Sequence, residues 1–209
     1  MNEQQIRKRN YRVLLIEGCL FFTGMAFVDV NAVIPVFIFT YTKSVLLTGL
    51  ATTISFAASI LMQTLVGPYV KGIRNTPAYV SLVMFLSRPL PFVMILLLFL
   101  DLSPWLTADV FLMIYTLLCA GDGLIVIPWT DLFSRTVVSE KRGLLLGYQL
   151  LFGGMGALLA GFIVKTVLDH PRLVNDQRYA IIFGGAAVAR VQAQQKTGCD
   201  QRHVLSRHS

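Results

Sequence analysis

The chain has 209 residues, of which 55% are hydrophobic and only 14% are charged, whereas an ordinary soluble domain carries about 25% charged residues. Together with a mean hydropathy of +0.66, this composition excludes a disordered chain, a disulfide scaffold and a typical cytosolic enzyme. The net charge of +7 is typical of loops that face anionic lipid headgroups. Its basic residues form no single patch, so we expect the lipid bilayer as a partner and no nucleic acid.

Six apolar segments predict membrane spans, because a transmembrane helix needs about 20 mostly apolar residues. The first five reach that length: 13–39, 45–66, 77–100, 106–129 and 143–168. The sixth segment, 179–189, stops at Arg190 at about half the length needed to cross a bilayer. The sequence therefore predicts an all-α integral membrane protein, a polytopic helix bundle of five full spans and a partial sixth.

Residues 190–209 differ in composition from everything before them. They are rich in Arg, Gln, Lys, His and Ser and have almost no apolar periodicity, which predicts a polar, basic and disordered tail. This change in the middle of a span favours a coding region that is truncated or frameshifted after about residue 188. The alternative is a short half-helix followed by a cytoplasmic tail.

The distribution of basic residues predicts the orientation in the membrane. With the N-terminus inside, cytoplasmic segments hold nine Lys and Arg residues before the tail, against four in outer segments. Because positive residues accumulate on the cytoplasmic side, we expect a multi-pass protein of the cell membrane, plasma or inner, with a cytoplasmic N-terminus.

Four ionisable residues fall inside the predicted spans, and each costs about 2.5–3.5 kcal/mol at the centre of a span. They are Glu17, Asp29, Arg88 and Asp122. Counting the helical rise puts Asp29 in the outer third, Arg88 near the middle and Asp122 in the inner third. We hypothesise that Arg88 exchanges aspartate partners, or that one aspartate takes up a proton or cation. A static buried ion pair is the structural alternative.

Two weaker polar candidates accompany these charges. Asn31, with Pro35 beyond it, indicates a polar, kinked cavity wall near Asp29, and Gln63 lies in the second span. Neither the three cysteines nor the three histidines have the spacing of a metal site, so we expect no metal and no cofactor.

The segment from Pro128 to Lys165 carries a specific resemblance. Asp131, followed by Arg142-Gly143 and a glycine-rich helix, resembles the loop between helices 4 and 5 of major facilitator superfamily transporters. A second loop of that family is matched in part by Gly67, Lys71 and Arg74, although Lys71 stands where the family has an Asp. The resemblance covers about residues 10–188, the first half of a twelve-helix transporter.

This resemblance implies a fold and a function. The fold would be the N-terminal six-helix half, and the function secondary active transport of a small solute by alternating access, with the solute's identity unknown. Asp131 and Arg142 would pair across the cytoplasmic loop in one state and separate in another. Because one bundle cannot close the transport cleft alone, the missing C-terminal half or a second copy would be needed.

Two other classes of function compete with a transporter. A scaffold that does not transport, or an inactive fragment, would use the tail to bind a partner. A membrane enzyme lacks support, since no zinc or serine-hydrolase motif is present and all three histidines lie outside the spans. We therefore do not expect an enzyme.

Overall fold

The computed structural model describes residues 3–73, 75–100 and 102–205. Within those residues every regular element is a helix, as the sequence predicts. The α-helices are α1 (Glu3–Phe27), α2 (Val33–Thr42), α3 (Val45–Val66), α4 (Thr76–Ser87), α5 (Leu90–Leu98), α6 (Pro104–Thr136), α7 (Ser139–Leu168) and α8 (Asn175–Leu205). A short 3-10 helix, Gly67–Gly72, extends α3.

Four helical segments in this part of the chain are long and apolar enough to cross a membrane: Val45–Val70, Thr76–Leu98, Pro104–Thr136 and Ser139–Leu168. Their outer surfaces are apolar, with Leu158 77% and Phe162 71% exposed. Exposed apolar surface of this kind marks a region that contacts a membrane or another protein. These features are those of a membrane helix bundle.

The first predicted span, 13–39, is divided between α1 and α2. The division lies at Asp29, whose Oδ1 accepts the backbone N–H groups of Asn31 at 2.9 Å and Ala32 at 2.8 Å. A short carboxylate that binds nearby N–H groups competes with the helical hydrogen bonds. Asp29 therefore ends one helix and starts the next.

The third predicted span, 77–100, is also divided, between α4 and α5. Pro89 has no N–H to donate and disfavours helical geometry at the residue before it. Arg88 lies at this junction, where its backbone N–H still bonds the carbonyl of Met84 at 2.9 Å. The two short helices together make one apolar span.

Glycines set the closest helix contacts. A Cβ at Gly123 of α6 would lie 2.4 Å from the backbone oxygen of Ser59 in α3. On α7, Cβ atoms at Gly153 and Gly156 would lie 2.8 Å and 2.1 Å from side-chain atoms of α1. These pairs, α3 with α6 and α1 with α7, are among the most extensive contacts in the bundle, as expected where small residues let backbones approach.

One end of the bundle is packed with rings from α2, α6 and α8. The ring of Phe37 lies 4.1 Å from that of Phe111, 4.8 Å from Tyr179 and 5.6 Å from Phe183, centroid to centroid. Tyr115 stacks on Phe111 at 6.1 Å. These five residues form the aromatic cluster, and all five are nearly or fully buried.

Helix α8 differs most from the sequence-based expectation. The sixth apolar segment ends at Arg190, yet the helix continues through it to Leu205. Arg190 is 1% exposed and Ala193, the last residue of α8 whose burial is described, is fully buried. The change in composition at Arg190 is therefore not the end of the helix.

Candidate functional site

Four charged side chains from four parts of the fold converge inside the bundle. Glu17 comes from α1, Arg88 from the α4–α5 junction, Asp122 from α6 and Arg190 from α8. Arg88 is close enough to the other three to interact with their charges: it is attracted by Asp122 and Glu17 and repelled by Arg190. We call these four residues the charged cluster.

One half of the charged cluster is a bonded ion pair. Arg190 Nη2 lies 3.0 Å from Asp122 Oδ2, and Nη1 donates to Oδ1 at 3.3 Å. Nη2 also contacts the sulfur of Met25 at 2.7 Å. With the Arg190 side chain 1% and the Asp122 side chain 18% exposed, the pair is shielded and holds α6, α8 and α1 together.

Arg88 and Glu17 form the other half, and they differ from the ion pair. Arg88 is 2% exposed, and its Nε and Nη1 have no hydrogen-bond partner among the described residues. Glu17 is 3% exposed, and within the same part of the chain its Oε2 lacks such a partner too. Arg190 Nε is unsatisfied as well, but Arg88 and Glu17, unlike Arg190, also lack an ion pair in the described residues. Buried polar groups are nearly always hydrogen-bonded, so these two side chains require an explanation.

The ring of Phe21 lies near both guanidinium groups. Its centroid is 5.4 Å from Cζ of Arg88 and 5.9 Å from Cζ of Arg190. The face of an aromatic ring attracts a cation at this distance. Phe21 therefore partly offsets the cost of placing two like charges in one cluster.

A cavity of about 240 Å³ adjoins the charged cluster. Its polar lining residues are Glu17, Arg88, Asp122, Thr130 and Gln149, and the rest of the wall is almost entirely apolar. Gln149 is fixed by a 2.7 Å hydrogen bond from its Nε2 to the carbonyl of Leu14. Gly18 permits this arrangement, because a Cβ there would lie 2.3 Å from the Gln149 side chain.

Two of the four clustered residues, Arg88 and Asp122, are site candidates from the sequence, where Arg88 is the expected partner of Asp122. Asp122 is bonded to Arg190 and not to Arg88. Glu17 was identified only as a charge within a span, and Arg190 only as the end of one. The signal for Arg190 was present, since the small residues Ala186 and Ala193 share its helix face and are fully buried.

The other proposed pathway residues lie away from the charged cluster. Asp29 binds backbone N–H groups in the break between α1 and α2, and Asn31 is exposed. Gln63 is half-buried and donates from Nε2 to Ser59 Oγ in its own helix at 3.2 Å. None of the three lines the cavity of about 240 Å³.

Asp131 and Arg142, expected to pair across the loop, each bind another group. Asp131 Oδ2 lies 3.0 Å from Arg135 Nη2, one turn further along α6. Arg142 donates from Nε to the carbonyl of Val137 at 2.9 Å and from Nη2 to that of Ser134. Arg142 thus caps the end of α6, and the cross-loop pair is not formed in this structure.

The remaining candidates from the two loops are two glycines and two basic residues, and the two glycines do not line the cavity beside the charged cluster. Gly67 opens the 3-10 helix, where a Cβ would lie 3.4 Å from Ile127. Gly143 lies in the first turn of α7 and faces open space. Lys71 belongs to the 3-10 helix, but its side chain lies outside what the structure describes, and Arg74 lies outside the described residues.

A second and larger cavity, about 610 Å³, lies between α1 and the α6–α7 junction. Its lining includes the exposed basic residues Lys8, Arg12 and Lys141. Three basic groups around one crevice are suited to the headgroup region of an anionic membrane surface. This crevice is separate from the charged cluster, with which it shares no lining residue.

Among the side chains that the structure describes, no group of three or more His, Cys, Asp or Glu residues is suited to hold a metal ion. No protein-family model, no curated protein and no solved structure matches this chain.

Proposed function

We propose that the chain is a membrane transport protein, one six-helix bundle of the major facilitator type, that moves a small solute by alternating access. One observation carries this proposal: a cavity among apolar helices is lined by Arg88 and Glu17, two buried charged residues. Arg88 Nε and Nη1 and Glu17 Oε2 have no hydrogen-bond partner in the described residues. Ionisable residues inside membrane proteins are costly, and they mark substrate and ion pathways.

The contrast within the charged cluster supports a pathway rather than a purely structural role. A structural charge pair neutralises its charges within the protein, as Arg190 and Asp122 do through both Nη atoms, although Arg190 Nε has no hydrogen-bond partner in the described residues. Arg88 and Glu17 would lower the stability of the bundle unless something else binds them during the working cycle. A solute entering the cavity supplies that partner, and a coupling proton or cation on a carboxylate is compatible with the same arrangement.

The bundle needs a second bundle to complete the transport cleft. In transporters built from two halves, the substrate site lies near the membrane midplane between them. We infer that a C-terminal half or a second copy of the chain covers the open side of the cavity. The competing function, a scaffold without transport, predicts that the cavity is never traversed.

Flux through reconstituted protein tests the proposal. The full chain is placed in liposomes, and a library of small charged and zwitterionic solutes is applied while current and internal pH are recorded. We expect at least one solute to evoke flux that Arg88→Gln abolishes and that Lys165→Gln, at an exposed position, leaves unchanged. Absence of flux for every solute, in a preparation shown by cross-linking to hold two bundles in each unit, would overturn the proposal.

A further inference from the structure

The cavity beside the charged cluster holds charges of both signs, and their partners define a ligand class. Arg88 offers N–H donors without acceptors, and Glu17 offers a carboxylate oxygen without a donor. The two side chains line the same cavity, and their charges attract each other, but within the described residues no hydrogen bond or ion pair at contact distance joins them. A ligand with one charge would satisfy one of them and leave the other buried and unpartnered.

We propose that this cavity binds a compact zwitterion of about amino-acid size, its carboxylate on Arg88 and its ammonium group on Glu17. The inference names the substrate class of the transport function proposed above and rests on it in that sense. Charge-assisted hydrogen bonds of guanidinium to carboxylate and of carboxylate to ammonium are the strong members of their class. One molecule with both groups removes both unsatisfied charges at once.

The nearby ion pair sharpens the assignment. Asp122 also lines the cavity, but its carboxylate is neutralised by Arg190 at 3.0 Å. Glu17 is therefore the lining carboxylate without an ion pair in the described residues, and Arg88 is the lining guanidinium with free donors. The site has one charge of each sign available, which matches a zwitterion and not a dication or a dianion.

The size and the walls of the cavity bear on the rest of the ligand. A volume of about 240 Å³ corresponds to about eight water molecules at ~30 Å³ each, so a solute of about eight non-hydrogen atoms fits inside it without using the open side. The apolar walls include Phe22, Met84 and Ile125. They favour a small aliphatic body over a further polar group.

Three closely related probes test both charges in the unmodified chain. Valine carries both groups, isovalerate lacks the ammonium group and isobutylamine lacks the carboxylate. We measure their binding to the full chain in lipid nanodiscs by calorimetry, with competition against radiolabelled valine. Valine is expected to bind about tenfold or more tightly than either analogue, since each loses a hydrogen bond between charged groups.

Variants assign each charge to its residue. In Glu17→Gln, valine and isovalerate should bind with equal affinity, because the ammonium group has lost its partner. In Arg88→Gln, valine and isobutylamine should become equal. Lys165→Gln should retain the discrimination of the unmodified protein. Because the three-probe comparison in the unmodified chain needs no variant, a variant that fails to fold leaves the proposal open to refutation.

Each outcome decides a different question. No binding of glycine, alanine or valine at millimolar concentrations, or isovalerate and isobutylamine binding as well as valine, overturns the zwitterion site. If a singly charged solute is transported and no zwitterion binds, the inference fails and the transport function stands. If valine binds with the predicted discrimination but no flux is found, the site stands and the transport function fails.

Discussion

The aromatic cluster and the charged cluster share two helices, α6 and α8. On α6, Tyr115 and Asp122 are seven residues apart, and on α8 the same spacing separates Phe183 from Arg190. Two helical turns, about 10 Å, therefore divide a closed aromatic core from a cavity with buried charges. The Tyr115 hydroxyl donates to the carbonyl of Val28 at 3.3 Å, so even its polar atom is satisfied, whereas Arg88 and Glu17 keep unsatisfied atoms.

This difference indicates that α6 and α8 have different roles along their lengths: one region of each packs the bundle, and another lines a cavity. The aromatic cluster makes dense ring contacts that fix how α2, α6 and α8 pack, and it leaves no polar group in need of a ligand. The charged cluster stabilises the fold less, because it holds buried charges with unsatisfied atoms beside a cavity with polar lining residues. Functional sites commonly carry such locally unfavourable features.

Breaking the ion pair of the charged cluster should have the largest effect. Arg190→Gln leaves the Asp122 carboxylate in the bundle without its cation, and we expect the free energy of unfolding to fall by about 4 kcal/mol. Titration with SDS in mixed micelles measures this change. The double variant Arg190→Gln with Asp122→Asn should regain part of the loss, and Lys165→Gln is the control. A loss below about 1 kcal/mol would show that the pair is not structural.

Truncating the centre of the aromatic cluster should rank second. Phe37 is fully buried against four other rings, and Phe37→Ala should cost about 3 kcal/mol in the same titration, because the cavity left behind loses its packing contacts. Phe162→Ala is the matched control, since that side chain is 71% exposed. Equal costs for the two variants would contradict the dense packing ascribed to this end.

The close contact of α3 with α6, a helix that both clusters share, is tested next. Gly123→Ala places a Cβ against the backbone oxygen of Ser59, and we expect a loss of about 2 kcal/mol, as for overpacked cores. Gly161→Ala meets open space and should raise stability by about 0.5 kcal/mol through helix propensity. If Gly123→Ala is as well tolerated as Gly161→Ala, α3 and α6 are further apart than described.

The loop beyond the charged cluster should give the smallest effects. Arg142→Gln removes two hydrogen bonds to the end of α6 and should cost about 1 kcal/mol. Asp131→Asn removes only a pair with the exposed Arg135 and should change stability by less than about 0.5 kcal/mol. Similar losses in both, with no further loss in the double variant, would instead favour a direct Asp131–Arg142 pair.

The sequence predicts the helices well and their interruptions poorly. Hydropathy alone places a span at 45–66, the bounds of α3, because a long apolar run in this composition leaves no competing structure. Asp29 and Pro89 act through local hydrogen bonds and a missing donor, effects that a hydropathy window averages away. Both residues were visible in the sequence, but one continuous span was predicted across each of them.

The partners inside the charged cluster lie beyond what the sequence can specify. Asp122 and Arg190 are 68 residues apart, and only the tertiary packing of the whole bundle, in which α4 and α5 contact both α6 and α8, brings them together. Depth counting along single helices offered Arg88 as the partner of Asp122, because it treats each span as a straight, independent rod. The break at Pro89 and the continuation of α8 beyond Arg190 both violate that assumption.

The position of Arg190 has a consequence for how the chain is assembled during synthesis. The apolar stretch before it, residues 179–189, is about half the length that a bilayer requires, and an arginine follows at once. Such a segment has little tendency to leave the translocon for lipid by itself. Asp122 and Met25 offer the arginine its contacts, so α8 should join the membrane last, recruited by helices already in place.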